Sequence, residues 1–215
     1  ALSDLDAWPH ASMSGDMQIV YTFPQLQTAL LLQMRELHEA VQRGADGRIW
    51  LVEHEPVYTA GRATPKDEIS AGIVPIERGG KITYHGPGQL TIYPIIPLPK
   101  RDLRDWLKRI ETYGVRIAEA FGLRAEPSVD GTGVFVAGRK FASIGVAVKR
   151  WVNLHGIGVN VTVDQAPWQK VRPCGLSPDI MTDLSTAAGR PVSMKEAAEH
   201  ATAAISVLLD PSDPL

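Results

Sequence analysis

Two strand-like segments, Phe141 to Val148 and Trp151 to Val163, follow each other in this chain with only Lys149 and Arg150 between them. An earlier pair, Ile73 to Ile76 and Gln89 to Ile96, is separated by the glycine-rich stretch Arg78 to Gly88. Strand pairs that are neighbours in sequence and lie among helices suggest an α+β fold, a mixed β-sheet core flanked by helices, rather than a regular parallel sheet. In the second pair the alternation of apolar residues changes phase at His155-Gly156, which predicts a bulge or sharp kink at Gly156. A further apolar run, Ile49 to Val52, reads as a strand, and Pro56 and Gly61 after it mark a loop.

The helices are read from spacing. Leu26, Leu30, Met34, Leu37 and Val41 form one face ahead of Gly44, predicting a helix over 24–43. Leu103, Leu107, Ile110, Gly114, Ile117 and Phe121 predict a second over 101–121. Its other side carries Lys100, Arg101, Arg104, Lys108 and Arg109, which is either a solvated face or a docking surface for an acidic partner. Ser193 with Glu196 is a capping-box pattern ahead of a C-terminal helix containing Met194, Ala198, Ala201, Ile205 and Leu208.

The 215 residues hold no linker-like stretch, so one domain over 18–209 is expected, with 1–17 a flexible N-terminal segment and 210–215 a tail. A net charge of −2 gives no global attraction to nucleic acid or membrane, so electrostatic recognition has to be local. No run of about 20 apolar residues and no signal-peptide pattern is seen, so the expected location is cytoplasmic. In that setting the glycosylation-like Asn160-Val161-Thr162 is an accident of a strand.

Chemistry concentrates in two places. The only cysteine, Cys174, lies in Arg172-Pro173-Cys174-Gly175-Leu176 and cannot form an intramolecular disulfide. It is a buried filler, a chance residue or a nucleophile, and the stiff Pro and permissive Gly beside it favour the nucleophile. The stretch from Arg78 to Gln89 combines four glycines with Arg78, Lys81, Thr83 and His85, which suits a loop approaching a ligand as well as a plain connection. Phosphate-loop, dinucleotide-fingerprint and Gly-x-Ser-x-Gly patterns are absent, and no His/Cys cluster has metal-ligand spacing, so no metal is expected.

Taken together, Arg78 to Gln89, Glu53 to Arg62, Gly138-Arg139-Lys140-Phe141-Ala142-Ser143-Ile144-Gly145, His155-Gly156 with Asn160-Val161, and Pro173-Cys174-Gly175 resemble the lipoyl(octanoyl) transferases, in that family's order from about 18 to 209. The resemblance implies the fold of biotin and lipoate ligase catalytic domains. It also implies a cytoplasmic enzyme moving an octanoyl or lipoyl group from acyl carrier protein to a lysine of lipoyl domains, in 2-oxoacid dehydrogenase complexes and the glycine cleavage H protein, with no cofactor of its own. By the same resemblance Cys174 is the acyl-thioester nucleophile and Lys140 activates it. Substrate contacts fall on Arg78, Gly79, Gly80, Lys81, Ile82, Thr83, Tyr84 and His85, on Ser143, Ile144 and Gly145, and on Gly156, Ile157 and Gly158. Gly158 stands where the family more often has Ala, which widens the expected acyl tunnel slightly.

On chemical grounds a cation beside a thiol favours the reactive thiolate. Without the resemblance, Lys140 reads equally as a solvent-facing strand end, and His85 and His155 as site-orienting groups or core histidines. Backbone N–H groups at Gly175 and Leu176, or donors from Thr83 to Gly86, are candidates for an oxyanion hole. The alternatives are an ATP-dependent lipoate or biotin ligase on the same fold, and a non-catalytic protein binding carrier or lipoyl domains. Against the former, the Gly-Arg-Gly-Arg-x-Gly type loop associated with biotin activation is absent and adenylate chemistry needs no lysine-activated cysteine; the latter has no need of Cys174 and Lys140.

Overall fold

The computed structural model describes residues 18–25, 27–129, 133–170 and 178–215. Leu26 and Cys174, both singled out in the sequence, lie outside them. The elements run β1 Gln18–Gln25, α1 Gln27–Gln42, β2 Arg48–His54, β3 Val57–Ala60, β4 Ile73–Pro75, β5 Ile82–His85, β6 Gln89–Ile95, α2 Leu103–Glu119, β7 Ala125–Pro127, β8 Gly133–Val136, β9 Arg139–Lys149, β10 Val152–Asn160, α3 Leu184–Ala188, α4 Met194–Ala203 and α5 Ser206–Leu209. A seven-stranded sheet has the order β1-β2-β6-β10-β9-β8-β7, and a three-stranded sheet the order β4-β3-β5. In the large sheet β1 pairs parallel to β2 and the other pairs are antiparallel, so the sheet is mixed as expected; of the two expected strand pairs β9 and β10 do pair, whereas β4 and β6 lie in different sheets.

Period-two alternation sorts side chains between two helical layers. Ile49 and Leu51 of β2, Leu90 and Ile92 of β6 and Ile157 and Val159 of β10 pack with Trp106, Ile110, Tyr113 and Ile117 of α2 and with α4 and α5. Trp50, Val52, Tyr93, Ile95 and Leu154 face the other way, against Leu30 and Met34 of α1. Gly114 lets α2 come close, because a Cβ there would stand 2.7 Å from Val134 and 3.0 Å from Ile157. Among the described residues no helix is long and apolar enough to cross a membrane.

Several expectations change in detail. The second helix begins later than expected because Asp102 caps it, accepting from the backbone of Arg104 at 2.8 Å and Asp105 at 3.3 Å. Arg109 is not on its exposed side but 1% exposed, donating to Asp105 at 2.7 Å and to the carbonyls of Val207, Asp210 and Pro211. The Ser193 cap is present, yet the C-terminal helix ends at Ala203 and resumes as α5. Within the glycine-rich stretch Ile82 to His85 is a strand, and β3 lies where Pro56 and Gly61 suggested only a loop.

At Gly156 the expected bulge is not found: β10 keeps one register with β9 from Val152 to Val159. All nine β10 residues are buried, so apolar side chains suit both faces and the change of phase needs no slip. The irregularity sits one residue earlier, where His155 has φ of 66°. That conformation lets consecutive residues both reach Tyr93, Leu154 by packing and His155 by its ring.

Candidate functional site

A cavity of about 320 Å³ lies against the large sheet between the Arg78–Gly80 loop, β5 and the start of α2. Its floor is built from missing side chains. Thr91 of β6 stands opposite Gly158 of β10, Gly158 opposite Ser143 of β9, and Ser143 opposite Gly133 of β8, a row crossing four strands. Gly156 and Gly145 pair in the next row on the same face. All of these except Gly133 line the cavity, with Ile144 and Ile157.

The roof is the loop. Gly79 N–H donates to Val146 O at 2.9 Å, tying the loop to β9 beyond the end of β8. Arg78 is 6% exposed, and its guanidinium donates to the carbonyls of Gly79, Lys81 and Thr59 and to Thr59 Oγ1 at 2.8–2.9 Å. Arg78 thus holds the loop together from inside. Along β5, Thr83 and His85 line the cavity, while Ile82 and Tyr84 alternate away from it. Tyr84 instead meets Trp168 edge-on at 5.6 Å, in a cluster with Met181. Lys81 is likewise off the cavity wall; its carbonyl accepts from Arg78 and Gly61.

Other wall residues escaped the sequence reading: Thr91, Tyr93, Leu103, Leu107 and Val146 to Val148. The signal for two of them was present, since Gln89, Thr91 and Tyr93 alternate with Leu90 and Ile92 and give β6 one polar face.

Three histidines gather at the polar end. His54 Nε2 is 2.8 Å from Tyr93 Oη, and the His54 and His85 rings are 5.6 Å apart. His85 Nδ1 is 2.6 Å from Gln89 Oε1. Burial, and then the neighbouring His54, push the His85 pKa down to about 3, so the ring is neutral. Burial also lowers the pKa of His155, which is 2% exposed with Nε2 3.5 Å from Glu77 Oε2, too long for a formed hydrogen bond. The Glu77 carboxyl is held well below the usual range by His155 and by Arg35. The two Arg35 bonds, at 2.7 and 3.0 Å, are the firmer cause. Thr83 Oγ1 and His155 Nε2 are buried without a hydrogen-bond partner, and both residues line the cavity.

Lys140 is fully buried, which excludes a solvent-facing strand end. Pairing between β8 and β9 shifts register at Val134/Phe135, beside Lys140. The lysine stem lies over Gly133, where a Cβ would stand 2.5 Å from Cε and 3.1 Å from Nζ. Lys140 is therefore beside the end of the cavity floor, although it is not part of its wall. Thr182 N–H donates to Lys140 O at 2.9 Å and Met181 bridges to Lys140, so the chain that resumes at Pro178, four residues after Cys174, runs directly onto β9. Gly175 and Leu176, the first oxyanion candidates, fall outside the described residues.

Lys149 ends β9, nine residues and about 30 Å from Lys140 along the strand, and Arg150 follows it in the turn. Arg139 is the cation at the near end, donating to the carbonyls of Asp179 and Met181. Asn160 is 1% exposed and its amide donates to Thr182 O, so the glycosylation-like triplet is inaccessible. Among the described residues no group of His, Cys, Asp or Glu is arranged to hold a metal ion.

Comparison with known proteins agrees with this architecture. The fold matches lipoate-protein ligase A bound with ATP at a TM-score of 0.76, with 17% identity over 92% of this chain and 86% of that one. It matches biotin protein ligase from Aquifex aeolicus at 0.51, with 13% identity over 89% and 68%. Octanoyltransferase of Geobacter metallireducens is 38% identical over 192 residues, 86% of this chain and 90% of that protein. Octanoyltransferase of Geobacter sulfurreducens is 38% identical over 87% of this chain and 81% of that one. Residues 25–206 match the lipoyl protein ligase A/B catalytic domain, and with these relatives across the same span the chain belongs to the octanoyltransferase family.

Proposed function

We propose that the chain transfers an octanoyl group from acyl carrier protein to a lysine of lipoyl domains through a thioester on Cys174. The observation that supports this most is identity of 38% along nearly the whole catalytic domain, joined to a cavity whose floor is formed by the segments Ser143–Gly145 and Gly156–Gly158. The Cys174 thiolate attacks the octanoyl thioester, and the C–S bond to the carrier's pantetheine breaks to release its thiol. One thioester replaces another, so the step is nearly balanced in energy. The lysine amine of the lipoyl domain then attacks the acyl-enzyme, forming an amide and returning the thiol, and the stability of the amide drives transfer without nucleotide.

Lys140, dry and beside the end of the cavity floor, favours the thiolate and carries protons between sulfur and amine. The wall residues hold the acyl chain, with Arg78, Gly79 and Gly80 closing over it and Thr83 donating to the developing oxyanion. Lys81, Ile82 and Tyr84 act from behind the wall by shaping the β5 turn. The donor is octanoyl-acyl carrier protein; the acceptors are lipoyl domains of 2-oxoacid dehydrogenases and the glycine cleavage H protein.

Incubation with octanoyl carrier protein and no nucleotide is expected to add one octanoyl mass, cleavable by hydroxylamine and mapping to Cys174. Full acylation of Cys174→Ala, or a strict requirement for ATP, would overturn the reading.

A further inference from the structure

The hydrogen bonds around His85 leave little freedom of assignment. Asn160 Nδ2 donates to Thr182 O at 3.0 Å, so Asn160 Oδ1 is the acceptor turned toward Gln89. Gln89 Nε2 donates to that oxygen at 2.9 Å and to Tyr84 O at 3.3 Å. Both amides are thus fixed by backbone carbonyls, which can only accept. Gln89 Oε1 must then accept from His85 at 2.6 Å, and the proton of the neutral ring is on Nδ1. Nε2 is left as a bare lone pair on a residue that lines the cavity.

Beside it, Thr83 Oγ1 is buried without a partner. The wall therefore offers the unpartnered Thr83 hydroxyl and His155 Nε2, together with a His85 Nε2 that the surrounding bonds fix as an acceptor. Neither an octanoyl chain nor a thioester has a hydrogen to give the acceptor. The attacking lysine does.

The spacing suits that use. Gln89 Oε1 is 3.0 Å from the Cβ position of Gly158, and Gly158, Ser143 and Gly133 stand in one row ending under the Lys140 amine. Two strand spacings separate the ends of that row, roughly 10 Å, room for one acyl carbon with its sulfur and nitrogen.

We propose that His85 is a catalytic residue of the second transfer step, its Nε2 accepting an N–H of the attacking lysine amine, with Gln89 and Asn160 as the residues that position it. This rests on the two-step reading above. As the amine lone pair forms the C–N bond, the C–S electrons return to Cys174. One amine hydrogen leaves by way of Lys140 to the sulfur. The other remains as the amide N–H on His85. A deeply buried neutral imidazole orients that hydrogen without removing it. Attack by the thiolate in the first step brings no N–H, so His85 contributes mainly to the second.

The test separates the half-reactions. Octanoyl-enzyme prepared from carrier protein is mixed with a lipoyl domain, and single-turnover discharge is followed by intact mass. His85→Leu is expected to slow discharge roughly a hundredfold while slowing acylation far less, and His85→Gln, which offers an oxygen near the Nε2 position, restores most of the loss. Histidine nitrogen NMR of the unmodified protein is expected to show Nδ1 protonated and Nε2 bare, a readout that needs no variant to fold. Equal losses in both half-reactions, wild-type discharge in His85→Leu, or a protonated Nε2 would overturn the role of His85 alone. A wild-type enzyme that never carries octanoate on Cys174 would overturn the two-step reading, and this inference with it.

Discussion

Lys140 keeps a charged-type side chain in a fully buried place, and the slot that holds it is formed by a residue with no side chain. Gly133 is itself fixed by Ser128, whose N–H donates to Gly133 O at 2.9 Å and whose Oγ accepts from Gly133 N at 3.1 Å. Gly133→Ala is expected to displace the lysine amine and to move the pH profile of Cys174 alkylation upward, as is Lys140→Met. Ser128→Ala should do so more weakly. An unmoved profile in a folded Gly133→Ala protein would show that the slot does not tune the thiol. Lys140 could be singled out in the sequence because it belongs to a contiguous motif. Gly133 was not, because its meaning arises only from pairing with Ser143 on a strand that the sequence did not announce.

At the scale of elements, alternation was most readable where one face differs chemically from the other. β6 shows this, with Gln89, Thr91 and Tyr93 toward the site and Leu90 and Ile92 toward α2. It was least readable in β10, buried on both faces, where a change of phase carries no structural message. In α2 the expected apolar face was Leu103, Leu107, Ile110, Gly114, Ile117 and Phe121; Ile110, Gly114 and Ile117 are buried, yet Leu103 is exposed and Trp106 and Tyr113 complete the buried stripe. That rotation of the face brings Arg109 inside, where it clamps α5 and the following residues to α2. Arg109→Ala leaves those carbonyls without their donor and Asp105 with the longer Lys100 contact, 3.4 Å, in place of the Arg109 bond. The expected cost is about 3 kcal/mol in urea unfolding. Arg109→Lys should recover little, because one ammonium cannot reproduce the guanidinium fork; full recovery would remove the clamp.

For the whole molecule, buried neutral histidines couple folding to acidity. Unfolded histidine titrates near 6.5, whereas folded His85 is pushed down to about 3 and His155 is also lowered. Between those limits the unfolded chain binds more protons, so stability is full above about pH 6.5 and falls as pH drops below it. One such histidine contributes a slope of about 1.4 kcal/mol per pH unit, and Glu77, held low when folded, adds to the same trend only below about pH 4.3. Urea midpoints from pH 7 to 4.5 should follow this line, and His85→Gln should reduce its slope by one histidine's share; an unchanged slope would mean that the ring is protonated in the fold. The sheet-and-helix plan was visible in strand and helix spacing. The division into a large and a small sheet was not, since β3, β4 and β5 are too short to show a period. Three glycines, Gly145, Gly156 and Gly158, lie in the cavity floor. At these positions its contour is main chain, which has no rotamers to turn, so there the surface cannot yield to a bulkier guest as a leucine-lined wall does. A straight acyl chain can lie flat on such a surface, whereas each methyl branch must lift it by an atom's width, making the groove a gauge of branching as well as of length.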